Sequence, residues 1–255
     1  MIIKCDFHIH SCVSPCGDLS MSPSYIAEVL AEKGVKLAAL TDHNTALNCP
    51  AFAAACKKFG IAALYGMEVQ SQEEVHVLSL FSDLQTALDF SNEIYDMLPP
   101  IMNNPEKTGD QVYVDENDDI LGEVEKYLIT SADLSIDDLE KRIHALGGLC
   151  IPAHVDRPAF SLMSQFGFIP EGNYDAVEVT RIPPVTTDPY TNKQVPLDTL
   201  HYHLTTSSDA HYPEHIARRP FDLDIGDIPL IKKDGTVNLD AVREGLSKRP
   251  TSASF

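Results

Sequence analysis

The chain has 255 residues, of which 44% are hydrophobic and 22% are charged. This composition is typical of a globular protein and excludes a largely disordered chain. Asp and Glu number 38 against 19 Lys and Arg, which gives a formal net charge of −19. Because an acidic surface repels the phosphate backbone, we expect no binding to long nucleic acid.

The cysteines and the N-terminal residues indicate where the protein works. The six cysteines have no paired CxxC spacing, and the first residues meet charge too early for a signal sequence. No apolar run reaches the roughly 18 residues that cross a bilayer, so we expect no membrane partner. These features predict a cytoplasmic protein with free thiols.

Strands and helices alternate along the first 98 residues. The pattern predicts a strand at 2–9, and Ser22 and Pro23 then provide the cap and the first turn of a helix that ends at Lys33. Apolar runs and helical spacing predict the elements that follow: strand 36–41, helix 50–59, strand 61–65, strand 75–81 and helix 84–98.

The alternation is interrupted at residues 99–134, which are polar and acidic. We interpret this segment as an insertion within one domain that covers residues 1–255, because the alternation resumes after it. The elements predicted there are helix 135–146, strands 149–153, 175–180 and 204–207, and helix 239–248. Repeated strand–helix units predict an α/β fold with a parallel sheet, in which functional groups collect at the carboxyl ends of the strands.

Acidic and imidazole side chains lie at those strand ends. Asp6, His8 and His10 alternate along the first strand and therefore share one face. The later positions, all at strand ends except His76, are Asp42, His43, Glu68, His76, His154, Asp209 and His211. One such residue alone is usually structural, but the joint pattern predicts a metal site. Imidazole and carboxylate ligands together suit Zn, Mn and Fe.

Five motifs carry most of these residues in order along the chain. They are DFHIHS at 6–11, TDHN at 41–44, GMEV at 66–69 with VHVL at 75–78, PAH at 152–154 and SDAH at 208–211. Together they resemble the motifs of the polymerase-and-histidinol-phosphatase (PHP) superfamily. The resemblance implies a distorted (βα)7 barrel of the PHP type, a trinuclear metal centre and hydrolysis of phosphate esters.

The resemblance also implies a ligand set for two or three divalent ions. The implied ligands are His8, His10, Glu68 and Asp209 for the first ion, Glu68 as a bridge with His76 and His154 for the second, and His43 and His211 for the third. The third ion needs one more ligand from the loop after His10, where the family often has Asp or His. This chain offers Cys16 or Asp18 there, so both remain candidates.

The chemistry expected at such a centre is metal-assisted hydrolysis. A water that bridges two cations loses a proton near neutral pH and attacks as hydroxide, while the ions neutralise phosphate oxygens. We therefore assign Glu68 and Asp209 to catalysis as well as to the metals. Asp42 is also a catalytic candidate, because it and Asp6 adjoin ligands and would orient imidazoles; the alternative is turn capping.

Two arginines at the same rim are candidates for binding the substrate phosphate. Arg157 follows His154 by three residues, and Arg181 ends the predicted strand 175–180. A guanidinium group binds phosphate bidentately, so both are substrate-binding candidates and Arg157 is also a catalytic one. The alternative for each is a salt bridge with Asp156 or Glu178.

The function expected from these residues is hydrolysis of a small soluble phosphate ester, either a nucleotide or a compound like histidinol phosphate. The alternatives are an exonuclease acting on short oligonucleotides, a noncatalytic metal-binding regulatory module, and a metal-dependent amide hydrolase. His215 remains open as an acid for the leaving group, and His144 is expected on the surface. The oligomeric state is left open.

Overall fold

A computed structural model describes residues 1–188 and 190–251; the predicted domain 1–255 extends beyond these ranges. The strands are β1 (Ile2–Asp6), β2 (Leu37–Leu40), β3 (Ala62–Gln70), β4 (His76–Phe81), β5 (Val112–Val114), β6 (Ile120–Glu123), β7 (Leu149–Pro152), β8 (Val177–Glu178), β9 (Val185–Thr187), β10 (Gln194–Pro196), β11 (Leu204–Thr205) and β12 (Phe221–Asp224). The helices are α1 (Pro23–Glu32), α2 (Cys49–Phe59), α3 (Leu84–Met97), α4 (Pro105–Thr108), α5 (Ile136–Ala145), α6 (Leu162–Phe166) and α7 (Leu239–Ser247), with a 3-10 turn at Pro213–His215.

Local sequence signals explain where the helices begin and end. The Ser22 hydroxyl accepts the Tyr25 N–H at the start of α1, and Pro23 occupies the first turn, as predicted. Helix α2 ends at Gly60, whose backbone has a φ of 69° that suits glycine. These signals fix the start of α1 and the end of α2.

The central sheet is mixed rather than wholly parallel. Six strands pair in the order β12-β1-β2-β3-β4-β7. The β1–β2 and β2–β3 pairs are parallel, whereas β4 is antiparallel to both β3 and β7, and β12 is antiparallel to β1. The expectation of a parallel sheet is therefore wrong at β4, and β12 is a strand that the sequence did not predict.

Hydrogen bonds beyond this sheet close it into a distorted barrel. The Val155 N–H donates to the Glu178 carbonyl at 2.8 Å, which joins β7 to β8, and β8 pairs in parallel with β11. After β11, the Asp209 N–H donates to the His8 carbonyl at 2.8 Å, and the His10 N–H donates to the Ala210 carbonyl at 2.9 Å. The ring therefore runs β1-β2-β3-β4-β7-β8-β11 and returns to β1, which confirms the expected distorted barrel.

The strands of this barrel are buried on both faces. In β2, Ala38 and Leu40 belong to a large core under the helices, whereas Leu37 and Ala39 belong to a second core with β12 and α7. A strand covered on both sides shows a continuous apolar run rather than alternation, which is the pattern of LAAL here.

The segment 99–134 has structure of its own. It contains α4 and the β5–β6 hairpin, and an acidic turn joins its strands, with the Asp115 N–H donating to the Asp119 carbonyl at 2.9 Å. The segment also buries apolar side chains, among them Val112, Val114 and Leu128, so part of it contributes to the hydrophobic cores. Its place within a single domain stays a prediction.

Within the residues that the structure describes, the longest apolar helical stretches fall short of what a bilayer crossing requires.

Candidate metal centre

The side chain of Glu68, near the end of β3, lies at the middle of the cluster. It is buried, and five imidazole nitrogens lie within 3.5 Å of its oxygens: those of His8, His10, His43, His76 and His154. Oε1 faces His76 Nδ1 at 2.8 Å and His154 Nε2 at 3.0 Å, and Oε2 faces His43 Nδ1 at 3.0 Å. One carboxylate thus uses both of its oxygens toward different imidazoles, which is what a bridging ligand requires.

The second carboxylate of the cluster is Asp209, which follows β11. Its Oδ1 lies 3.4 Å from Nε2 of His8 and 3.4 Å from Nε2 of His10. The two imidazole nitrogens are themselves 3.1 Å apart. His8, His10, Glu68 and Asp209, the four residues that the motifs assigned to one ion, therefore converge on one point.

The direction of β4 explains why His76 belongs to the cluster although it begins its strand. Because β4 runs antiparallel to β3, its first residue lies at the rim where β3 ends, and His76 pairs with Gln70. The neighbouring His154 and Asp209 have left-handed backbones, with φ of 31° and 48°. Such conformations are rare outside glycine and collect at functional sites.

A third group of nitrogens lies at the other side of His10. The ligand atoms of His10, His43 and His211 lie within 4.8 Å of one another, and the rings of His10 and His211 stack with centroids 4.0 Å apart. Burial raises the pKa of the nearby Cys16 thiol, but hydrogen bonds with His211 and His43 outweigh it and lower the pKa to about 7. Asp18 points elsewhere, because its exposed carboxylate accepts the Ser20 N–H at 2.8 Å.

The electrostatics of the cluster fit bound cations. Burial raises the pKa of Glu68, yet His76, His8 and His43 outweigh it and hold that pKa well below its usual range. Burial lowers the pKa of His76 to about 4 even beside Glu68. Its ring is therefore uncharged at neutral pH, the form of imidazole that binds a metal ion. In the described residues, the buried His154 Nδ1 also has no hydrogen-bond partner. The donor set therefore fits divalent metal ions.

Asp42 and Asp6, the two acidic residues next to proposed ligands in the sequence, contact different groups. Asp42 accepts hydrogen bonds from the Ser11 N–H at 2.6 Å and from the Ser14 hydroxyl at 2.7 Å, and Ser14 Oγ lies 3.0 Å from His10 Nδ1. Asp42 thus reaches an imidazole only through a serine. Asp6 is buried and accepts the Ser208 N–H at 3.0 Å.

Glu178 on β8 is a buried residue of the site. From the sequence it was considered only as a salt-bridge partner of an arginine. Its two carboxylate oxygens lie 3.1 and 3.2 Å from His8 Nδ1, and Oε1 accepts the His154 N–H at 3.3 Å. With Nδ1 held by Glu178, the Nε2 of His8 is directed toward Glu68 and Asp209. The only signal in the sequence was an acidic residue inside the apolar run Val177–Val179.

The two candidate arginines take different partners from those considered. Arg157 forms an ion pair with Asp209, and Arg181 donates to the Gln194 side chain at 2.7 Å. Both line a cleft of about 550 Å³ bounded by the β9–β10 hairpin and α6. Asp156, at the edge of this cleft, is already bonded to the Thr180 N–H at 2.8 Å.

The other basic residues lie outside the cluster. Arg218 and Arg219 donate to the backbone carbonyl of Ser208. His215 lies on the 3-10 turn against Tyr212, with ring centroids 5.6 Å apart. His144, expected on the surface, is partly exposed and lies 2.9 Å from the Asp175 carboxylate.

Comparison with known proteins matches this site to a family. The PHP domain model matches residues 6–178, which hold most of the ligand candidates. The chain belongs to the PHP-domain family. A search of curated proteins finds no match.

Solved structures show the PHP fold at low sequence identity. Endonuclease Q from Pyrococcus furiosus matches with a TM-score of 0.61 and 18% identity, over 97% of this chain and 56% of that one. An endonuclease Q complex with a 27-mer duplex that carries an abasic lesion matches at 0.62 and 18%, over 96% and 56%. A protein from Bifidobacterium adolescentis assigned as a metal-dependent phosphoesterase matches at 0.53 and 17%, over 98% of both chains. The present chain thus spans about half of the endonuclease Q chains.

The endonuclease Q complex corrects one expectation. We excluded long nucleic acid because of the net charge of −19, but a protein with this PHP fold holds duplex DNA. Net charge averages over the whole surface, whereas a nucleic acid meets only the local field of one cleft. Here Arg157, Arg181 and Arg219 line one cleft together with a single acidic residue, Asp156, so the charged side chains that line it are mainly basic.

Proposed function

We propose that this PHP protein is a metal-dependent phosphoesterase. The observation that carries the proposal is the convergence of five imidazoles on the Glu68 carboxylate, with Asp209 beside them. The ligands proposed are His8, His10, Glu68 and Asp209 for one ion, Glu68, His76 and His154 for a second, and His43, His211 and Cys16 for a third. The ions proposed are Zn, Mn or Fe, two or three per chain.

When bound, such ions would lower the pKa of a water and neutralise phosphate oxygens. The side chains have separate tasks in this proposal. Glu68 holds two ligand sets together, because its oxygens face different imidazoles. Asp42 positions the loop after β1 through Ser11 and Ser14.

Arg157 is proposed to bind the phosphate that reacts. Its guanidinium is half-buried and contacts Asp209, so it stands directly beside the proposed ligands. The fork of donors on arginine leaves N–H groups for a phosphate oxygen while one group holds Asp209. Arg181, more exposed in the same cleft, is proposed to contact the substrate farther from the ions.

The substrate proposed is a small phosphate ester, a nucleotide or a compound like histidinol phosphate. A nuclease is the second candidate, supported by the arginine-lined cleft and by the shared fold with endonuclease Q, which forms a complex with a lesion-bearing duplex. A cytoplasmic location belongs to the same proposal and is supported by the free state of the six cysteines.

The test is phosphate release from a panel: AMP, histidinol phosphate, a nucleoside 3′,5′-bisphosphate and a 5′-phosphorylated oligonucleotide. Strand cleavage of an abasic duplex is measured beside it. Each substrate is offered to the Mn²⁺- or Zn²⁺-loaded protein. The variants are Asp209→Asn, which removes a proposed ligand, and Asp240→Asn, which changes a carboxylate that is 83% exposed on α7.

We expect release from at least one substrate by the wild type and by Asp240→Asn, and a loss of at least about 100-fold in Asp209→Asn. A metal-loaded protein that hydrolyses no phosphate ester would contradict the proposal and favour a metal-binding module. Cleavage confined to the duplex would favour the nuclease.

A further inference from the structure

An aromatic ring lies against one of the proposed ligands. The ring of Phe160 stacks on His76, with centroids 5.0 Å apart and planes inclined by 17°. The Phe160 carbonyl accepts the His76 N–H at 3.2 Å, so the two residues are fixed together through the backbone as well. The backbone of Phe160 has a φ of 52°, which is rare for a bulky residue.

Phe160 is nevertheless 39% exposed, although an aromatic ring gains most from full burial. One face of the ring is covered by an imidazole of the cluster, and the exposed part lies at the rim. Single exposed apolar residues are common, but this one is held rigidly at the edge of a hydrolytic site. The same segment carries Phe166 and Phe168, which are also exposed.

Phe160 and Arg157 border the cluster through different residues. Phe160 stacks on His76, whose Nδ1 faces Glu68, whereas Arg157 contacts Asp209. The exposed part of the Phe160 ring is therefore an aromatic surface next to the cluster. A planar ring attached to a phosphate held by the cluster can stack on such a surface without any directional hydrogen bond.

We propose that Phe160 is a stacking platform that selects phosphate esters carrying a planar aromatic ring, a nucleobase or an imidazole. The inference rests on the proposed phosphoesterase function and adds a residue that discriminates between esters with a ring and esters without one. Stacking on an aromatic side chain tolerates different bases, so the platform selects for a ring rather than for one base. The competing explanation is that Phe160 only shields His76 from water.

The chain contains no tryptophan, which gives a direct probe of stacking. In Phe160→Trp the single indole occupies the platform, and its fluorescence is followed by stopped flow within the first turnover of the Mn²⁺-loaded protein. The ligands are AMP, histidinol phosphate and ribose 5-phosphate, which is AMP without its base. Phe168→Trp is the control, because Phe168 is 59% exposed and packs near Phe166, with ring centroids 6.4 Å apart.

We expect AMP or histidinol phosphate to quench the indole fluorescence of Phe160→Trp, and ribose 5-phosphate to leave it unchanged. None of the three compounds should quench the fluorescence of Phe168→Trp. Quenching by one ring-bearing compound alone supports the platform and names its ring. The inference is overturned if neither AMP nor histidinol phosphate quenches the fluorescence at a concentration that occupies the site. Occupancy is shown by saturation of phosphate release or by displacement of bound inorganic phosphate. This readout does not need turnover, so it stands even if the proposed function fails.

Steady-state kinetics separates a platform from a shield. Phe160→Leu should raise the KM for the ring-bearing ester by about tenfold, the scale of one stacked ring, and leave ribose 5-phosphate unchanged. Phe160→Tyr should restore the KM, because it keeps the aromatic face. Equal losses for ring-bearing and ringless esters would overturn the platform and assign Phe160 to shielding His76, while the phosphoesterase function would stand.

Discussion

At the scale of single residues, Glu178 determines which nitrogen of His8 faces the cluster. Its carboxylate accepts from Nδ1 at about 3.1 Å, and it also accepts the backbone N–H of His154. A carboxylate on the far nitrogen of a ligand imidazole fixes its tautomer and its orientation. Glu178 is therefore a positioning residue for both His8 and His154.

The first prediction concerns Glu178→Gln. The amide keeps the shape but loses the charge, so we expect divalent metal affinity to fall by about 10- to 100-fold. Titration of the metal-free protein with Mn²⁺ against a fluorescent chelator measures this. Glu93→Gln, which changes a surface partner of Arg142, should bind metal as the wild type does. Unchanged affinity in Glu178→Gln would refute the positioning role.

The second prediction concerns Asp6 and the dependence of the unfolding free energy on pH. Burial raises its pKa to about 6, although the Ser208 N–H opposes the shift by hydrogen bonding. Among the described residues, its Oδ2 atom has no hydrogen-bond partner. Between pH 4 and 6 the folded protein therefore keeps a proton on Asp6 that the unfolded chain has lost. In this window the contribution of Asp6 to the unfolding free energy falls as pH rises.

Asp6→Asn removes that dependence. Relative to the wild type, the variant should gain about 2 kcal/mol of unfolding free energy as pH rises from 4 to 6, and the gain should persist above pH 6. Urea unfolding of both metal-free proteins at several pH values measures the difference. A difference that is flat across this range would show that Asp6 is not the titrating group.

At the scale of elements, the segment 99–134 supports the loop that carries Cys16. A Cβ on Gly109 would lie 2.1 Å from the Pro15 carbonyl oxygen, so the two backbones are in direct contact. Asn48 joins the same segment to the site, because its side chain accepts the Val114 N–H at 2.9 Å and donates to Ser11 Oγ at 2.9 Å. The segment thus helps to fix where Cys16 stands.

The third prediction compares two glycines. Gly109→Ala and Gly34→Ala both place a side chain at positive φ, 94° and 76°, but only the first meets another backbone. We expect Gly109→Ala to lose about 1–3 kcal/mol more unfolding free energy than Gly34→Ala. It should also bind fewer Mn²⁺ ions per chain, because the Cys16 loop moves. Equal stability and equal metal content in both variants would contradict the supporting role.

The elements also show what a sequence can and cannot reveal. The convergence of His8, Glu68 and Asp209 at one rim could be predicted because polar residues are conspicuous at the ends of apolar strands. The direction of β4 and the existence of β12 could not, because strand pairing depends on contacts far apart in the chain. Glu178 was missed as a site residue for the same reason: its partner His8 is 170 residues away.

At the scale of the whole molecule, the barrel closes through the site itself. The backbone bonds between His8, His10 and the Asp209–Ala210 segment join the last strand to the first. The side chains of the proposed metal centre therefore come from residues near both ends of the chain and from β3, β4 and the end of β7 between them. Ions bound at this point would tie together parts of the barrel that are distant in sequence.

The fourth prediction follows from this linkage. At free Mn²⁺ 100 times its dissociation constant, each site should add about 2.7 kcal/mol to the unfolding free energy. Urea unfolding with and without a chelator measures the gain, and Glu68→Gln should lose most of it. A chelated protein as stable as the loaded one would indicate that the cluster binds no metal.

The most direct test of the account is phosphate release by chelator-stripped protein during titration with Mn²⁺, using the best substrate of the panel. The account predicts no release without metal and a rate that rises and saturates at two or three ions per chain. Release that survives complete stripping, or no release when the ions are bound, would contradict it.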